Sequence, residues 1–216
     1  MTPTDTKPRR ALLVIDVQNE YFSDGGLPIE YPPIGLTLPN VALAMDAARG
    51  AGIPVVVVQH CAPAAAPVFA QGSANWQLHP EVASRPREHL IAKQLASVFA
   101  GTDLAEWLAQ HGIDTLSVVG YMTHNCDAAT IYEAAHRGLK VEWLADASGA
   151  LSYANAAGAA TAEEVHRVFS VVLHTGFAAV ASTSDWVAAV QAGTALPRDG
   201  IFASSQRARH ERQTGA

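Results

Sequence analysis

The chain is poor in several features that mark whole classes of protein. Only two cysteines, Cys61 and Cys126, occur among its 216 residues. A lone pair in a reducing compartment is weak ground for a disulfide. The formal net charge is −6 at pH 7, whereas nucleic-acid-binding proteins usually carry a concentrated basic face. The sequence therefore predicts two free thiols and no nucleic-acid partner.

Long apolar segments are also missing at the amino terminus. Residues 1–10 are polar and lead into only five apolar residues before Asp16, which is too few for a secretory signal or a membrane span. We therefore expect no membrane partner, and a cytoplasmic location is the default prediction.

Composition favours one folded unit. Hydrophobic residues make up 49% of the chain, which is enough at this length for one well-buried core, and no internal repeat or low-complexity linker is evident. We predict a single domain over residues 1–216, with tails at residues 1–9 and about 192–216. The second tail is predicted to be either a mobile end or an arm on a neighbouring subunit of a homo-oligomer.

Short apolar runs alternate with helical patterns along the chain. Runs without polar alternation, such as residues 55–58, predict strands covered on both faces, as in a parallel sheet between helical layers. Thr161 and Glu164 form the pattern of a capping box, and Gly112 and Gly138 stand where helix ends favour a left-handed residue. The fold class is therefore α/β, a three-layer α/β/α domain with a mostly parallel, doubly wound sheet of about six strands. The predicted strands are residues 11–15, 54–58, 115–119, 139–144 and 178–182, and the predicted helices are residues 39–49, 103–111, 127–137 and 162–173.

Polar or reactive residues follow three of the predicted strands. Asp16 follows the first, residues 59–61 follow the second, and residues 120–126 follow the strand at 115–119. Ligands of parallel sheets bind beyond the carboxyl ends of the strands. The proline-containing stretch at residues 60–87 has little periodicity, and loops of that length in compact domains are usually functional. We therefore expect these segments to share one crevice.

Cys126 stands where a predicted strand ends and a predicted helix begins. Unpaired N–H groups at a helix start stabilise an anion and can lower a cysteine pKa from its usual value of about 8.5. A nucleophilic thiolate at neutral pH is one prediction for this position. The alternative is a small buried hydrophobic residue, because free cysteine is among the most buried residue types.

Asp16 and Lys93 are the other candidate functional residues. A carboxylate held at the tip of a central strand is suited to accept a proton, although it can equally bond loop amides around Gln18 and Asn19. Lys93 has apolar neighbours, and its alternative role is a solvated head group on a packed stem.

Taken together, these segments resemble a known family. The run Val-Ile-Asp-Val-Gln-Asn at residues 14–19, the lysine at position 93 and Gly-x-x-Thr-x-x-Cys at residues 120–126 are similar in order and spacing to the cysteine hydrolases of the isochorismatase-like superfamily, in its nicotinamidase-related amidohydrolase branch. The resemblance covers roughly residues 9–190.

The resemblance implies roles for individual residues. Asp16, Lys93 and Cys126 match the catalytic aspartate, lysine and nucleophilic cysteine of that family. It also implies a non-proline cis peptide between Met122 and Thr123, which turns the amides of Thr123 and Cys126 toward one point as an oxyanion hole. The Cys126 thiolate would attack a carbonyl carbon, Asp16 would carry the proton to the departing amine, and Lys93 would favour the ionised forms.

The chain departs from the family pattern at the metal site. Zinc-dependent nicotinamidases of the superfamily carry Asp-x-His-x-His after the second strand, whereas residues 59–63 read Gln-His-Cys-Ala-Pro. We therefore predict no metal and no cofactor. Isochorismatase itself lacks the cysteine and cleaves a vinyl ether, so the presence of Cys126 argues against that reaction.

Several residues near the motifs have more than one interpretation. Asp127 either caps the following helix, which is the favoured interpretation, or selects a cationic substrate. His60, His124 and His136 are weighed because a Cys-His pair is an alternative way to activate a thiol, and His124 is nearest in sequence. Cys61 is a weaker nucleophile candidate, because Ala-Pro rather than a helix start follows it.

The substrate is predicted to be a small amide, carbamoyl or ureido compound. Tyr21, Leu27 and Trp76 are the candidates to wall its pocket, with core packing as the alternative role for each. Gln18 and Met122 complete the set of candidate substrate-binding residues. The competing prediction is a non-catalytic or regulatory small-molecule binding protein, since fold does not dictate function.

Overall fold

The computed structural model describes residues 7–214, and a parallel sheet of six strands dominates it. None of the helices in that range is both long and apolar enough to cross a membrane. The strands are β1 (Arg10–Ile15), β2 (Val55–His60), β3 (His89–Lys93), β4 (Thr115–Tyr121), β5 (Lys140–Gly149), β6 (Tyr153–Asn155), β7 (Gly158–Ala160) and β8 (Ala179–Ala181). The helices are α1 (Ile34–Gly50), α2 (Pro80–Ala83), α3 (Leu104–Gln110), α4 (Ala128–His136), α5 (Ala162–His174), α6 (Thr183–Ala192) and α7 (Ile201–Thr214).

The order of strands in the sheet is β3-β2-β1-β4-β5-β8, and all neighbouring pairs are parallel. The chain winds outward from β1 to β3 and then continues from β4 on the other side of β1. This reversal lies between β1 and β4, and open α/β sheets bind ligands at such a switch point. The sheet thus opens its crevice between the ends of β1 and β4.

Both faces of the sheet are covered, as the unbroken apolar runs predict. Along β1, Leu12 and Val14 belong to one buried cluster while Leu13 and Ile15 belong to another. Successive side chains of a strand point to opposite faces, so an apolar run without alternation fills two cores. The predicted three-layer α/β/α fold is confirmed.

The predicted elements begin within one residue of the observed ones, except the first helix. That helix starts at Ile34, and Pro39 lies inside it. Proline is common in the first turn of a helix, where its missing N–H costs no hydrogen bond. The predicted start at Pro39 is therefore too late, because the helix begins before this proline. The capping box of Thr161 and Glu164 is confirmed.

Five features were absent from the prediction: β3, the β6–β7 hairpin, α2, α6 and α7. β3 is an edge strand on which burial alternates, and the charged Lys93 fills one of its buried positions. The predicted carboxyl-terminal tail contains α7, a helix with no buried residue. Its placement on a neighbouring subunit stays a prediction. The predicted tails also include residues 1–6 and 215–216, which lie outside the described range.

Candidate active site

The structure brings Asp16, Lys93 and Cys126 together at the carboxyl ends of β1, β3 and β4. Lys93 Nζ lies 2.6 Å from Asp16 Oδ2 and donates a hydrogen bond to Cys126 Sγ at 3.2 Å. The exposed fractions of the three residues are 0%, 2% and 4%. One buried ammonium group therefore contacts both the carboxylate and the thiol.

The backbone at the end of β1 fixes the position of Asp16. Its φ of 51° lies in the left-handed region, which non-glycine residues rarely adopt and which is frequent at functional sites. The Asp16 N–H donates to the Val58 carbonyl at 3.1 Å, and the Asp16 carbonyl accepts from Gln18 N–H at 2.8 Å. These bonds to β2 and to the following turn hold the carboxylate in the crevice.

Gly120 permits the close approach of β4 to this point. Its φ is 117°, and a Cβ at this residue would lie 2.0 Å from the Ile15 carbonyl oxygen. Any side chain would therefore separate the ends of β1 and β4, so the motif requires glycine here.

A π-helical turn at Thr123–Asp127 carries Cys126. The predicted position of the cis peptide is wrong by one residue: the cis bond joins Tyr121 and Met122. The next peptide closes the turn, because the Met122 carbonyl accepts from the N–H groups of Asn125 and Asp127 at 3.1 and 3.2 Å. Within the described residues, the N–H groups of Thr123 and Cys126 make no hydrogen bond to a group outside the turn.

His166 supports this turn, and nothing in the sequence indicated it. Its Nδ1 lies 2.8 Å from Thr123 Oγ1, and both side chains are buried. Burial lowers the pKa of His166 to about 4, so a neutral ring nitrogen can accept the threonine hydroxyl. The two residues lie 43 positions apart in the sequence, and only the docking of α5 brings them together.

The surroundings of Cys126 oppose the predicted thiolate. Burial raises the pKa of the Cys126 thiol, the Asp16 carboxylate raises it further, and Lys93 only partly opposes them. Burial lowers the pKa of Lys93, but Asp16 and Cys126 outweigh that effect and raise it. Together these effects favour a protonated thiol over the predicted resting thiolate, which stays a prediction. The helix-start argument neglected the loss of solvent around the sulfur.

The histidines near the site do not contact the thiol. His124 Nε2 lies 2.7 Å from the hydroxyl of Tyr153, so the side chain is directed to the β6–β7 hairpin. His60 Nδ1 lies 3.3 Å from Lys93 Nζ. Burial lowers the pKa of His60, and the charge of Lys93 lowers it further. A neutral His60 is thus a further acceptor for the ammonium group.

The predicted pocket residues divide into two groups. Gln18 is buried, and its amide donates to the carbonyls of His60 and Trp76 at 3.0 and 2.7 Å while its oxygen accepts from His60 N–H at 2.8 Å. Gln18 therefore braces the long loop. Trp76 is half-buried, and its Nε1 donates to Cys61 Sγ at 3.2 Å. Both cysteines are free thiols, as predicted.

Tyr21, Leu27 and Met122 pack in one apolar cluster. The Tyr21 ring contacts Tyr121 with centroids 5.5 Å apart, which agrees with the core-packing alternative. Burial raises the pKa of Tyr21, and the nearby Cys126 thiol and Asp16 carboxyl groups add to the effect. The ring thus forms the apolar side of the site.

Asp127 does not cap α4, and that prediction is wrong. No side-chain capping bond is formed at this helix start. The carboxyl group instead points toward β5, where its Oδ2 accepts from Trp143 Nε1 at 3.3 Å. The residue is 0% exposed, and the alternative role, selection of a cationic substrate, stays a prediction.

The part of the chain that the structure describes contains no group of three or more histidine, cysteine, aspartate or glutamate side chains able to hold a metal ion. Where the zinc ligands of related enzymes would lie, the Gln59 amide donates to the Trp76 carbonyl at 2.9 Å. His60 faces the Lys93 ammonium group, which repels a cation.

Comparison with known proteins agrees with this geometry. The Isochorismatase domain family matches residues 10–185. A crystal structure of an isochorismatase homologue from Burkholderia xenovorans is 62% identical, with a TM-score of 0.95, over 96% of this chain and all of that one. The secreted isochorismatase effector of Verticillium dahliae is 36% identical over 64% of this chain and 71% of its own length. A ureidoacrylate amidohydrolase from Methylobacterium radiotolerans is 30% identical over 63% of this chain and 66% of its own length.

Proposed function

Because the chain belongs to the isochorismatase family, we propose that it is a metal-independent cysteine hydrolase that cleaves a C–N bond of a small amide, carbamoyl or ureido compound. One observation carries the proposal: the ammonium group of Lys93 contacts both Asp16 Oδ2 and Cys126 Sγ inside the protein. The relationship to a ureidoacrylate amidohydrolase supports the bond type.

The first step transfers a proton and forms a bond. Cys126 gives its thiol proton to Asp16, whose Oδ1 makes no hydrogen bond within the described residues, and the sulfur attacks the substrate carbonyl carbon. Lys93 stays positive throughout and stabilises the negative charge as it moves from the carboxylate to the sulfur. A raised thiol pKa suits this coupled step, because the proton leaves only when the nucleophile reacts.

The second step expels the amine. The N–H group of Cys126 and a second N–H group at the start of the π-helical turn, for which Thr123 is the predicted donor, stabilise the tetrahedral oxyanion, and each donor of this kind contributes about 3 to 4 kcal/mol. Asp16 returns its proton to the departing nitrogen, and the C–N bond breaks to leave a thioester on Cys126. Asp16 then takes a proton from water, which attacks the thioester and releases the carboxylic or carbamic acid and the thiol.

A substrate panel tests this function. Ammonia release should be measured with primary amides, ureas and carbamoyl amino acids, with Cys126→Ser as the blank. We expect turnover of at least one class and none in the blank. Specific binding of panel compounds without any ammonia release would contradict the proposal and favour a binding protein on the same fold.

Removal of metal should leave the enzyme unchanged. Residues 59–63 lack the Asp-x-His-x-His zinc ligands, and the Lys93 ammonium group repels a cation beside His60. Structural and catalytic zinc normally need three or four clustered ligands. We expect extended dialysis against a chelator to change neither kcat nor Tm. Stoichiometric zinc that is lost together with activity would contradict this prediction.

A further inference from the structure

A second buried carboxyl group lies directly behind the nucleophile. Asp127 follows Cys126 in the chain and is 0% exposed. Its Oδ2 accepts from Trp143 Nε1, which also donates to Ser148 Oγ at 2.8 Å. Its Oδ1 is buried and makes no hydrogen bond with any described residue. The mechanism above does not use this group.

The surroundings of Asp127 favour its neutral form. An ionised oxygen without a partner costs far more in a protein interior than a neutral one. Burial raises the pKa of Asp127 to about 7, the neighbouring Ser148 hydroxyl and Trp143 N–H groups oppose the rise, and the nearby Asp16 carboxyl group adds to it. Two carboxyl groups in one buried site titrate as a coupled pair.

Other titratable groups surround Asp127. They are Asp16 after β1, Tyr21 in the turn that follows, Lys93 on β3, Tyr121 on β4, Cys126 itself and His166 on α5, whose ring centroid lies 5.4 Å from that of Trp143. The pKa values of Lys93, Cys126 and both tyrosines are raised, and that of His166 is lowered to about 4. Trp143 and Ser148, on β5, do not titrate. The pKa of Asp127 thus lies nearer to neutrality than the pKa values of these shifted groups.

We propose that Asp127 is a positioning residue that acts as a neutral, protonated carboxyl group, and that its ionisation slows the reaction of Cys126; the role in hydrolysis rests on the proposed cysteine mechanism. With Asp127 protonated, Asp16 and Lys93 balance each other, and the buried site is neutral. With Asp127 ionised, the site carries one extra negative charge beside the nucleophile. That charge opposes the movement of negative charge from Asp16 onto Sγ of the adjacent residue and then onto the oxyanion.

The pH dependence has a definite sign. The protonated fraction of Asp127 falls as the pH rises through about 7, so the reactivity of Cys126 should rise less steeply with pH above neutrality. Asp127→Asn keeps a neutral acceptor for Trp143 at every pH. This variant should therefore show the steeper rise.

The rate of iodoacetamide alkylation measures the reactivity of Cys126 without a substrate. The rate at Cys126 should be followed by peptide mass spectrometry between pH 5.5 and 9.5 in the full-length wild type, in Asp127→Asn and in Asp103→Asn. Asp103 is an exposed carboxylate beside His89, at the opposite end of β3 from Lys93. We expect the ratio of rates at pH 9 and pH 6 to be about tenfold larger in Asp127→Asn than in the other two, which corresponds to a change of one pKa unit at the thiol.

A second variant covers the case in which Asp127→Asn does not fold. Asp127→Leu removes the charge with little change in size, and Trp143 Nε1 keeps its bond to Ser148. An unchanged ratio in the folded variants would overturn the proposal. When a substrate is in hand, the alkaline decline of kcat/KM should disappear in the same variants. If the alkaline decline of kcat/KM persists in the Asp127 variants, the role of Asp127 is rejected. If Cys126→Ser is inactive in the same experiment, the proposed function is still supported.

Discussion

Replacing Cys126 with serine should abolish hydrolysis and keep the fold. The side chain is 4% exposed and accepts from Lys93 Nζ, and serine fills nearly the same space with an oxygen that can accept the same bond. A hydroxyl is a far weaker nucleophile than a thiol. We expect kcat to fall by at least about 10³-fold, as nucleophile removal does in other covalent hydrolases. Ammonia release and thermal unfolding together measure both effects.

The matched control is Cys61→Ser. Cys61 follows β2 and is partly exposed, and its sulfur accepts from Trp76 Nε1, a bond that a serine oxygen can also accept. Turnover in this variant should stay close to that of the wild type. More than a few per cent of wild-type activity in Cys126→Ser, with no cysteine reactivity elsewhere, would remove Cys126 from the mechanism.

The proximity of Asp16 and Cys126 could be predicted because each follows a predicted strand. The sequence places Asp16 after one apolar run and Cys126 after another, and the ends of parallel strands meet at one edge. Lys93 was identified only through the resemblance to the family. Its strand, β3, has an edge position and alternating burial, which weakens any apolar pattern.

The charge of the site could not be predicted, because burial depends on tertiary structure. A helix start suggested a thiolate at Cys126, yet the π-helical turn buries the sulfur beside Asp16. The same turn directs Asp127 toward β5 and away from the capping position that its place in the sequence suggested. Local rules assume a regular helix, and this site is built on an irregular one.

Asp16→Asn and Lys93→Ala should each remove turnover and change the reactivity of Cys126 in opposite directions. Asp16 raises the pKa of the thiol and Lys93 lowers it. Alkylation of Cys126 at neutral pH should therefore be faster in Asp16→Asn and slower in Lys93→Ala, by about tenfold for each unit of pKa change. Hydrolysis should fall by about 10²- to 10⁴-fold in both, because the first variant lacks the proton carrier and the second lacks the stabilising charge.

The double variant Asp16→Asn/Lys93→Ala tests whether Asp16 and Lys93 act together in one step or contribute independently to turnover. Groups that act in one step are strongly non-additive, so turnover in Asp16→Asn/Lys93→Ala should be close to that of either single variant. Lys140→Ala, an exposed lysine at the amino end of β5, is the control for loss of positive charge and should change neither rate. If alkylation slows in both single variants, or if the two losses of turnover multiply, the three residues do not share one proton transfer. His124 would then be the next base to test, because it lies in the same turn as the nucleophile.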